Sequence, residues 1–555
     1  MTRLARVGAA ALALLPGPGD YRMLRRTWRG DLLSGVTVGI VALPLALGFG
    51  VSSGLSAEAG LVTAIVAGIL AAVFGGSNVQ VSGPTGAMVV VLVPIVASHG
   101  PGAVVVVTLL AGVIVLAAGA LRLGRTVSFI PWPVIEGFTL GIAVIIFMQE
   151  VPFATAGRTA AAGEHSSNAV VAAAQSVMAA DWTYVPWAIG AIAIVAACML
   201  VAPRIHRAIP GSLVGIVLVT VLCLVIPTPL ARIGTLPASL PAPALPPLDP
   251  AVLGSLLLPA VTVAALAAIE SLLSARVAAS LADTGVYDPD RELVGQGIAS
   301  IGSALFGGMP ATGAIARTAV NVRSGGRSRL AAIVHAVVLL LVVLAAAGPV
   351  GTVPLAALAG VLMVTAVRMV HRATVASILR STRGDAILFV VTAVVTVSVD
   401  LIVAVVIGML CAGVFALRSM SRETSVVREQ IEGAAQPGDD RIAILRLDGP
   451  LFFAAADRVF ERITQVADVE VVVLRMSRLE LVDATGARVL SEIVQALERR
   501  GVTVLIKGVQ AGHEELFRTV GVLASLRHHN HLFAALEPAI AHARSHVARN
   551  AAHAG

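Results

Sequence analysis

Glu270 is the residue whose type and position most clearly indicate chemistry, because it is a carboxylate inside a long apolar stretch. None of the nineteen residues before it is charged. A carboxylate in mid-membrane costs about 2.5–3.5 kcal/mol even on a lenient insertion scale, so such a residue seldom lacks a role. Ser274 follows at i+4, on the same face of a helix. The pair is predicted to hold a sodium ion or exchange a proton; a structural carboxylate paired with Arg276 or Arg317 is the alternative.

A short phrase that the chain contains twice is the second candidate. In both copies Phe-Gly-Gly is followed by Pro, Thr, Gly and Ala, at residues 74–87 and again at 306–314. Pro is tolerated in a first helical turn, and Thr85 or Thr312 could accept hydrogen bonds from the unpaired N–H groups there. Each phrase is therefore predicted to open a helix inside a membrane, and such an N-terminus suits an anion.

The composition places most of the chain in lipid. Of 555 residues, 57% are hydrophobic and only 13% are charged, whereas soluble proteins are nearer a quarter charged. The net charge of +7 comes almost wholly from arginine, a bias we attribute to genome composition, so no nucleic-acid partner is predicted. Cys198, Cys223 and Cys411 fall in apolar stretches and are predicted to be core residues. No nucleophile elbow, Walker loop, HExxH or CxxC occurs, so neither an enzyme nor a cofactor is expected.

Apolar segments predict a polytopic α-helical membrane domain over residues 31–422, after a cytoplasmic lead at 1–30. With a cytoplasmic N-terminus, most loop arginines fall inside, as the positive-inside rule requires, and both termini are cytoplasmic. The membrane is predicted to be the inner (plasma) membrane, crossed about fourteen times. The predicted spans are 32–50, 57–74, 84–99, 102–120, 127–149, 186–202, 210–227, 254–279, 293–307, 311–323, 329–347, 352–367, 385–399 and 401–418.

The two phrases lie in the third and tenth spans, and this separation predicts a 7+7 inverted repeat. Seven is odd, so the second half is inverted and the two phrase helices can point their N-termini at one central site. Chance recurrence is the alternative, since the chain has 53 Gly and 28 Pro. Two N-termini offer about half a positive charge each. Arg317 could add positive potential there, pair with Glu270, or lie at the cytoplasmic end.

After Arg422 the composition predicts a polar linker at 423–440 and a small cytoplasmic α/β domain at 441–550. Asp483 and Thr485 stand between a strand and a helix, where capping is the expected role. The histidines at 528, 529 and 531 lack a nearby Cys or carboxylate, so no metal site is predicted. Strands are predicted at 442–447, 469–474 and 502–506, and helices at 454–466, 485–497, 512–520 and 534–548.

Together these stretches resemble the sulfate permease (SulP) family, with its C-terminal STAS domain, over nearly the whole chain. The resemblance implies a core domain (spans 1–4 and 8–11), a gate domain (spans 5–7 and 12–14), an elevator-like cycle and a homodimer. It implies that an anion lies between spans 3 and 10, with Glu270 and Ser274 as the coupling site. The runs that carry it are 31–47, 53–61, 83–86, 270–274, 292–297, 310–318 and 482–486, and the residues implied to contact or enclose the anion are Thr85, Gly86, Thr312, Gly313, Ala314 and Phe49.

The predicted function is secondary active transport of an inorganic anion of the sulfate permease type, a symport with protons or sodium through Glu270. Leu45 departs from the Gln of many relatives and matches variants that include bicarbonate and dicarboxylate carriers. The loop at 279–288 also lacks the Arg-His of many relatives. A bicarbonate or C4-dicarboxylate carrier is therefore the first alternative. An uncoupled anion channel, or a membrane receptor signalling through its STAS domain to a cytoplasmic regulator, is the second.

Overall fold

The computed structural model describes residues 14–125, 131–155, 168–205, 210–246, 250–281, 285, 287–399 and 401–554. The chain divides into two compact units, Met1–Met409 and Leu410–Gly555.

The first unit is helical, and every predicted span overlaps a helix in it. Helix α1 begins at Leu24, inside the predicted lead, and α2 contains a π-helical turn at Thr63–Ala67. Two further helices, α6 and α14, were not predicted. The helices of this unit, with the one that leaves it, are α1 (Leu24–Ser52), α2 (Ala57–Phe74), α3 (Gly86–His99), α4 (Pro101–Ala120), α5 (Trp132–Thr155), α6 (Ala169–Met178), α7 (Val185–Ile205), α8 (Gly211–Val225), α9 (Pro250–Leu281), α10 (Pro289–Leu305), α11 (Ile315–Arg323), α12 (Arg329–Gly351), α13 (Leu355–Met369), α14 (Arg372–Arg380), α15 (Arg383–Ser398) and α16 (Leu401–Glu423).

Helix length separates full spans from interrupted ones. Within the described residues, nine helices are long and apolar enough to cross a membrane, so the count of fourteen spans stays a prediction. Helix α11 has nine residues and measures only about 14 Å at 1.5 Å per residue, against a hydrocarbon core of about 30 Å. Helix α3 has fourteen residues. Both phrase helices are therefore half-helices.

Large apolar side chains cover outward faces of the first unit. Leu200, Val221 and Leu341 are each at least half exposed, on α7, α8 and α12. Soluble monomers seldom expose apolar patches of this extent, whereas lipid is a good solvent for them. The outer helices thus have the surface of a membrane protein.

The second unit is a five-stranded sheet with helices on both faces. Its strands lie in the order β3 (Ser425–Glu429), β4 (Ile442–Leu451), β5 (Val471–Val482), β6 (Thr503–Lys507) and β7 (Leu532–Phe533); β3 pairs antiparallel with β4, and the other pairs are parallel. Helices α17 (Ala456–Thr464), α18 (Ala484–Arg499) and α19 (Ala511–Val520) share one core with the sheet, and α20 (Leu536–Ala554) closes the other face.

The edge strand β3 differs from the sequence prediction, whereas the capping residue Asp483 agrees with it. Strand β3 lies in the stretch that its polar composition had predicted to be a loop, because an edge strand needs apolar residues on one face only. The capping role of Asp483 is confirmed: its Oδ1 accepts the Gly486 N–H at 2.7 Å at the start of α18. The other Asp483 oxygen accepts the Phe453 N–H at 3.2 Å.

Candidate site between two half-helices

A two-residue antiparallel pairing brings the two phrases together. Strand β1 (Ser82–Gly83) pairs with β2 (Thr312–Gly313), and the Ala314 N–H donates to the Val81 carbonyl at 2.8 Å. Helix α3 follows β1, and α11 follows β2, within three residues. Because the strands are antiparallel, the two helices leave the pairing in opposite directions, with their N-termini nearest to it.

The threonines do not cap these helices, so that expectation is wrong. Thr85 is the N-cap of α3, but its side chain makes no capping hydrogen bond. The N-cap of α11 is Ala314, because Thr312 is held in the paired strand. Pro84 likewise precedes the helix instead of lying in its first turn. Both hydroxyls are engaged by a carboxylate.

That carboxylate belongs to Glu270, on α9. Its Oε2 accepts hydrogen bonds from the Thr85 hydroxyl at 2.8 Å and from the Thr312 hydroxyl at 2.9 Å. The two hydroxyl oxygens lie 3.1 Å apart. One carboxylate oxygen therefore joins both phrases to α9, and hydrogen bonds to a charged acceptor are the stronger kind.

Neither arginine named as a structural partner forms an ion pair with Glu270 among the described residues. Arg276 is exposed. Arg317 is 2% exposed; its Nη2 donates to the Pro84 carbonyl, and its Nη1 has no hydrogen-bond partner in the described part of the chain. A buried guanidinium that has no ion pair in the described part of the chain adds positive potential behind the paired strands.

Three side chains missed in the sequence support the pairing. The Ser271 hydroxyl accepts the Gly313 N–H at 3.1 Å, and the Gln80 amide donates to the Ser271 carbonyl at 3.3 Å. Thr318 Oγ1 accepts the Val81 N–H at 3.0 Å. Ser274 faces this hydroxyl, 3.5 Å away, and is not hydrogen-bonded to Glu270. A buried amide in an apolar context is the signal that would have identified Gln80.

Two glycines are packed so closely that a Cβ at either would displace a neighbouring side chain. A Cβ at Gly313 would lie 1.7 Å from Gln80 Nε2. A Cβ at Gly86 would lie 2.2 Å from Ile146 Cδ1 and 3.4 Å from the ring of Phe49. The buried Phe49 ring therefore lies against the first residue of α3.

Helix α10 holds the strand β1 in place from the other side. The Glu292 carboxylate accepts the N–H groups of Gly76 at 2.8 Å and Ser77 at 3.1 Å, and the Gln296 amide at 2.9 Å. Gln296 also donates to the Ser82 hydroxyl at 2.6 Å. The segment between the first Phe-Gly-Gly and α3 is thus fixed by side chains.

A cavity of about 60 Å³ opens beside Glu270, at the first residues of both half-helices. At a liquid share of about 30 Å³ per water, it has room for one small ion. Ala87 and Ile315 border it, and the facing wall is apolar, formed by Phe138, Ile142, Met369 and Val405.

The backbone donors nearest this cavity lie in the first turns of α3 and α11. The first intrahelical hydrogen bonds are those of the Val89 and Thr318 N–H groups, so the N–H groups before them have no acceptor within their helices. The N–H groups of Gly313 and Ala314 are already used in the pairing. The backbone N–H groups available to a bound anion are therefore expected to begin one residue after Ala314, in the first turn of α11.

Two half-helices with converging N-termini in a helical membrane domain are the architecture of secondary transporters. Residues 28–392 match the Sulfate permease family, and residues 434–539 match the STAS domain. The chain therefore belongs to the sulfate permease family of anion transporters.

Relatives of known name are similar over most of their lengths. The putative sulfate transporter YvdB of Bacillus subtilis is 35% identical, covering 89% of this chain and 93% of that protein. The bicarbonate transporter BicA of Picosynechococcus sp. is 32% identical, covering 85% and 87%. The solved transmembrane domain of a cyanobacterium BicA is 34% identical with a TM-score of 0.62, covering 68% of this chain and 98% of that one. The structure of SLC26A9 shares the fold, with 16% identity and a TM-score of 0.81, covering 98% and 95%.

Proposed function

We propose that the chain is a secondary active carrier that binds a small inorganic oxyanion between the N-termini of α3 and α11, coupled to protons or sodium through Glu270. The observation that carries this proposal is the single carboxylate oxygen bonded to both Thr85 and Thr312. It sets an ionisable group in the wall of the small cavity, where Thr139 is the other polar residue among the described lining residues.

The charges near the cavity indicate why anion binding depends on Glu270. Two helix N-termini contribute about one positive charge together, and Arg317 adds one more. An ionised Glu270 reduces this sum to about +1, which matches a monovalent anion such as bicarbonate. A proton or sodium ion on Glu270 restores about +2, which matches sulfate. A divalent anion is thus expected to bind well only with the coupling ion.

The same argument favours a carrier over an uncoupled anion channel. A passive anion pathway gains nothing from a carboxylate beside its binding site, since an ionised carboxylate repels the anion. A carrier gains coupling from it, because the anion and the coupling ion favour each other's binding reciprocally.

A bicarbonate carrier is the second candidate, and a specific observation favours it. Leu45, at which the sequence resembles family variants that include bicarbonate carriers, is buried in α1, and the similarity to BicA extends over nearly the whole solved transmembrane domain of that protein. Sulfate remains the first candidate, because YvdB is the more similar relative. C4-dicarboxylates are the third.

Uptake into proteoliposomes tests the proposal. Purified protein is reconstituted, and uptake of labelled sulfate, bicarbonate and succinate is measured under an imposed pH or sodium gradient, with and without that gradient. We expect one oxyanion to accumulate only when the gradient is present. Uptake of all three at equal rates without a gradient would favour a channel.

The isosteric variant Glu270→Gln isolates the coupling step. It is expected to abolish gradient-driven accumulation while exchange of anion across the membrane persists, because the helix N-termini remain. Glu58→Gln is the matched control, since Glu58 is a partly buried carboxylate on α2 that lines a different cavity. Unchanged accumulation in Glu270→Gln would remove Glu270 from the mechanism.

We also propose the arrangement that a carrier cycle requires. Helix α1 packs on α12, and α4 packs on α9; a shift of seven spans converts either of these two pairs into the other. The packed pairs α5–α15 and α7–α13 are related to each other in the same way. This supports the 7+7 inverted repeat and a division into core and gate. A homodimer in the plasma membrane, with cytoplasmic termini and a regulator acting on the STAS domain, completes the proposal. Cross-linking in membranes and protease protection test the dimer and the orientation.

A further inference from the structure

Three histidines of the second unit converge on one point. His542 and His546 lie one turn apart on α20, with their Nε2 atoms 3.2 Å from each other. His531, in the 3₁₀ turn before β7, supplies the third ring. One ring nitrogen of each residue lies within 4.8 Å of the other two.

The fold fixes this arrangement from both sides. Helix α20 packs on the sheet through Ala539, Ile540, Ala543 and Val547, so its register is set by a continuous apolar face. His531 is 1% exposed. Its Nδ1 is buried and has no hydrogen-bond partner in the described part of the chain.

An unpartnered buried ring nitrogen costs free energy unless it has a ligand. A neutral imidazole with an unbonded ring nitrogen has a lone pair to donate, and histidine is the commonest metal ligand in proteins.

We propose that His531, His542 and His546 bind one divalent transition-metal ion, with Zn²⁺ as the best-fitting member of the class. Two nitrogens bound to tetrahedral zinc at 2.0–2.1 Å are about 3.3 Å apart, close to the separation of the two Nε2 atoms. Three imidazoles leave the fourth position open.

The ion would join two separate pieces of the domain. His531 belongs to the segment that leads into the edge strand β7, and the other two ligands belong to the C-terminal helix. Bound metal would therefore fasten α20 to that edge. The competing explanation of the short nitrogen separation is a plain hydrogen bond between His542 and His546, and the two explanations differ in whether metal is retained.

Metal retention by the full-length chain tests the proposal. The protein is purified with an affinity tag that contains no histidine, stripped with a chelator, and titrated with Zn²⁺ against a chromophoric competitor. We expect one tightly bound Zn²⁺ per chain and, after exchange into Co²⁺, the visible d–d absorption of a tetrahedral site. His542→Ala and His546→Ala are each expected to weaken binding by roughly 100-fold or more, since even an outer-shell partner is worth 10–100-fold.

The controls separate this site from the other histidines and from misfolding. His513→Ala changes a histidine of the same domain outside the cluster and is expected to retain the wild-type affinity. Zn²⁺ is expected to raise the melting temperature of the wild type and His513→Ala but not of His546→Gln, with equal melting temperatures in chelator. Failure of the wild type to retain Zn²⁺ at micromolar free ion, or equal affinity in all variants, would overturn the proposal.

Discussion

Removing the hydroxyls of Thr85 and Thr312 should impair transport more than the sum of the separate changes. Both hydroxyls point at the same Glu270 oxygen, at 2.8 and 2.9 Å. The Thr312 hydroxyl has one proton and two acceptors in reach, since the Thr85 oxygen is 3.1 Å away. In Thr85→Val, the Thr312 hydroxyl can donate only to Glu270, and this stronger hydrogen bond compensates in part for the lost Thr85 hydrogen bond.

The magnitudes follow from these contacts. A single substitution is expected to cost about 0.5–1 kcal/mol, the lower part of the range for an ordinary hydrogen bond because the remaining hydroxyl compensates, or roughly 2- to 5-fold in kcat/KM. The double variant leaves a charged acceptor without either donor, so no hydroxyl remains to compensate. It should cost about 1.5–3 kcal/mol, or roughly 12- to 160-fold in kcat/KM. The double loss should exceed the product of the single losses.

Initial rates of gradient-driven uptake in proteoliposomes measure kcat/KM for the four proteins of this cycle. The matched control is Thr108→Val, because Thr108 is fully buried in α4 and its hydroxyl donates only to the Val104 carbonyl of the preceding turn. A double variant within twofold of the wild type, or one no worse than Thr108→Val, would refute the role given to these hydroxyls.

Two further predictions concern close packing and an ion pair. Gly313→Ala should lower uptake by roughly 5- to 160-fold, because overpacking against Gln80 costs about 1–3 kcal/mol, whereas Gly190→Ala, with open space around it, should not; equal rates would contradict the steric argument. The hydrogen-bonded Arg291 guanidinium holds the pKa of Asp20 below its ordinary value, so the pair stabilises the fold above about pH 4 and this contribution is lost as the pH falls further. Asp20→Asn should therefore lower the melting temperature by about 1–2 °C at pH 7 and by less near pH 3, and a difference that is the same at both pH values would exclude this linkage.

The elements that could be predicted from the sequence are those whose residue types conflict with their surroundings. Glu270 and the two Gly- and Pro-containing phrases stand out in an apolar chain, and the structure brings all three together. The hydroxyls were assigned the wrong partner because local rules offer only backbone N–H groups to a threonine, whereas Glu270 is 185 residues from Thr85.

The features that the sequence did not indicate depend on contacts between distant segments. Strand β3 is held by β4, and its own residues alternate too weakly to distinguish it from a loop. The histidine cluster was judged from residues 528–531 alone, and its other members lie on the final helix, where a His-x-x-x-His spacing has no meaning until His531 is beside it.

The pairing of β1 with β2 separates two tasks that a transporter must perform. The two hydroxyls that donate to Glu270 belong to Thr85 and Thr312, one on each of the two phrases that the pairing joins. The apolar wall of the cavity comes instead from α5, α13 and α16. Side chains at Phe138, Ile142, Met369 and Val405 could therefore change in size or polarity without disturbing the hydrogen bonds that hold the carboxylate. Such a division lets anion preference diverge among carriers that keep one coupling apparatus, and it makes this wall the place to exchange residues when a new substrate is wanted.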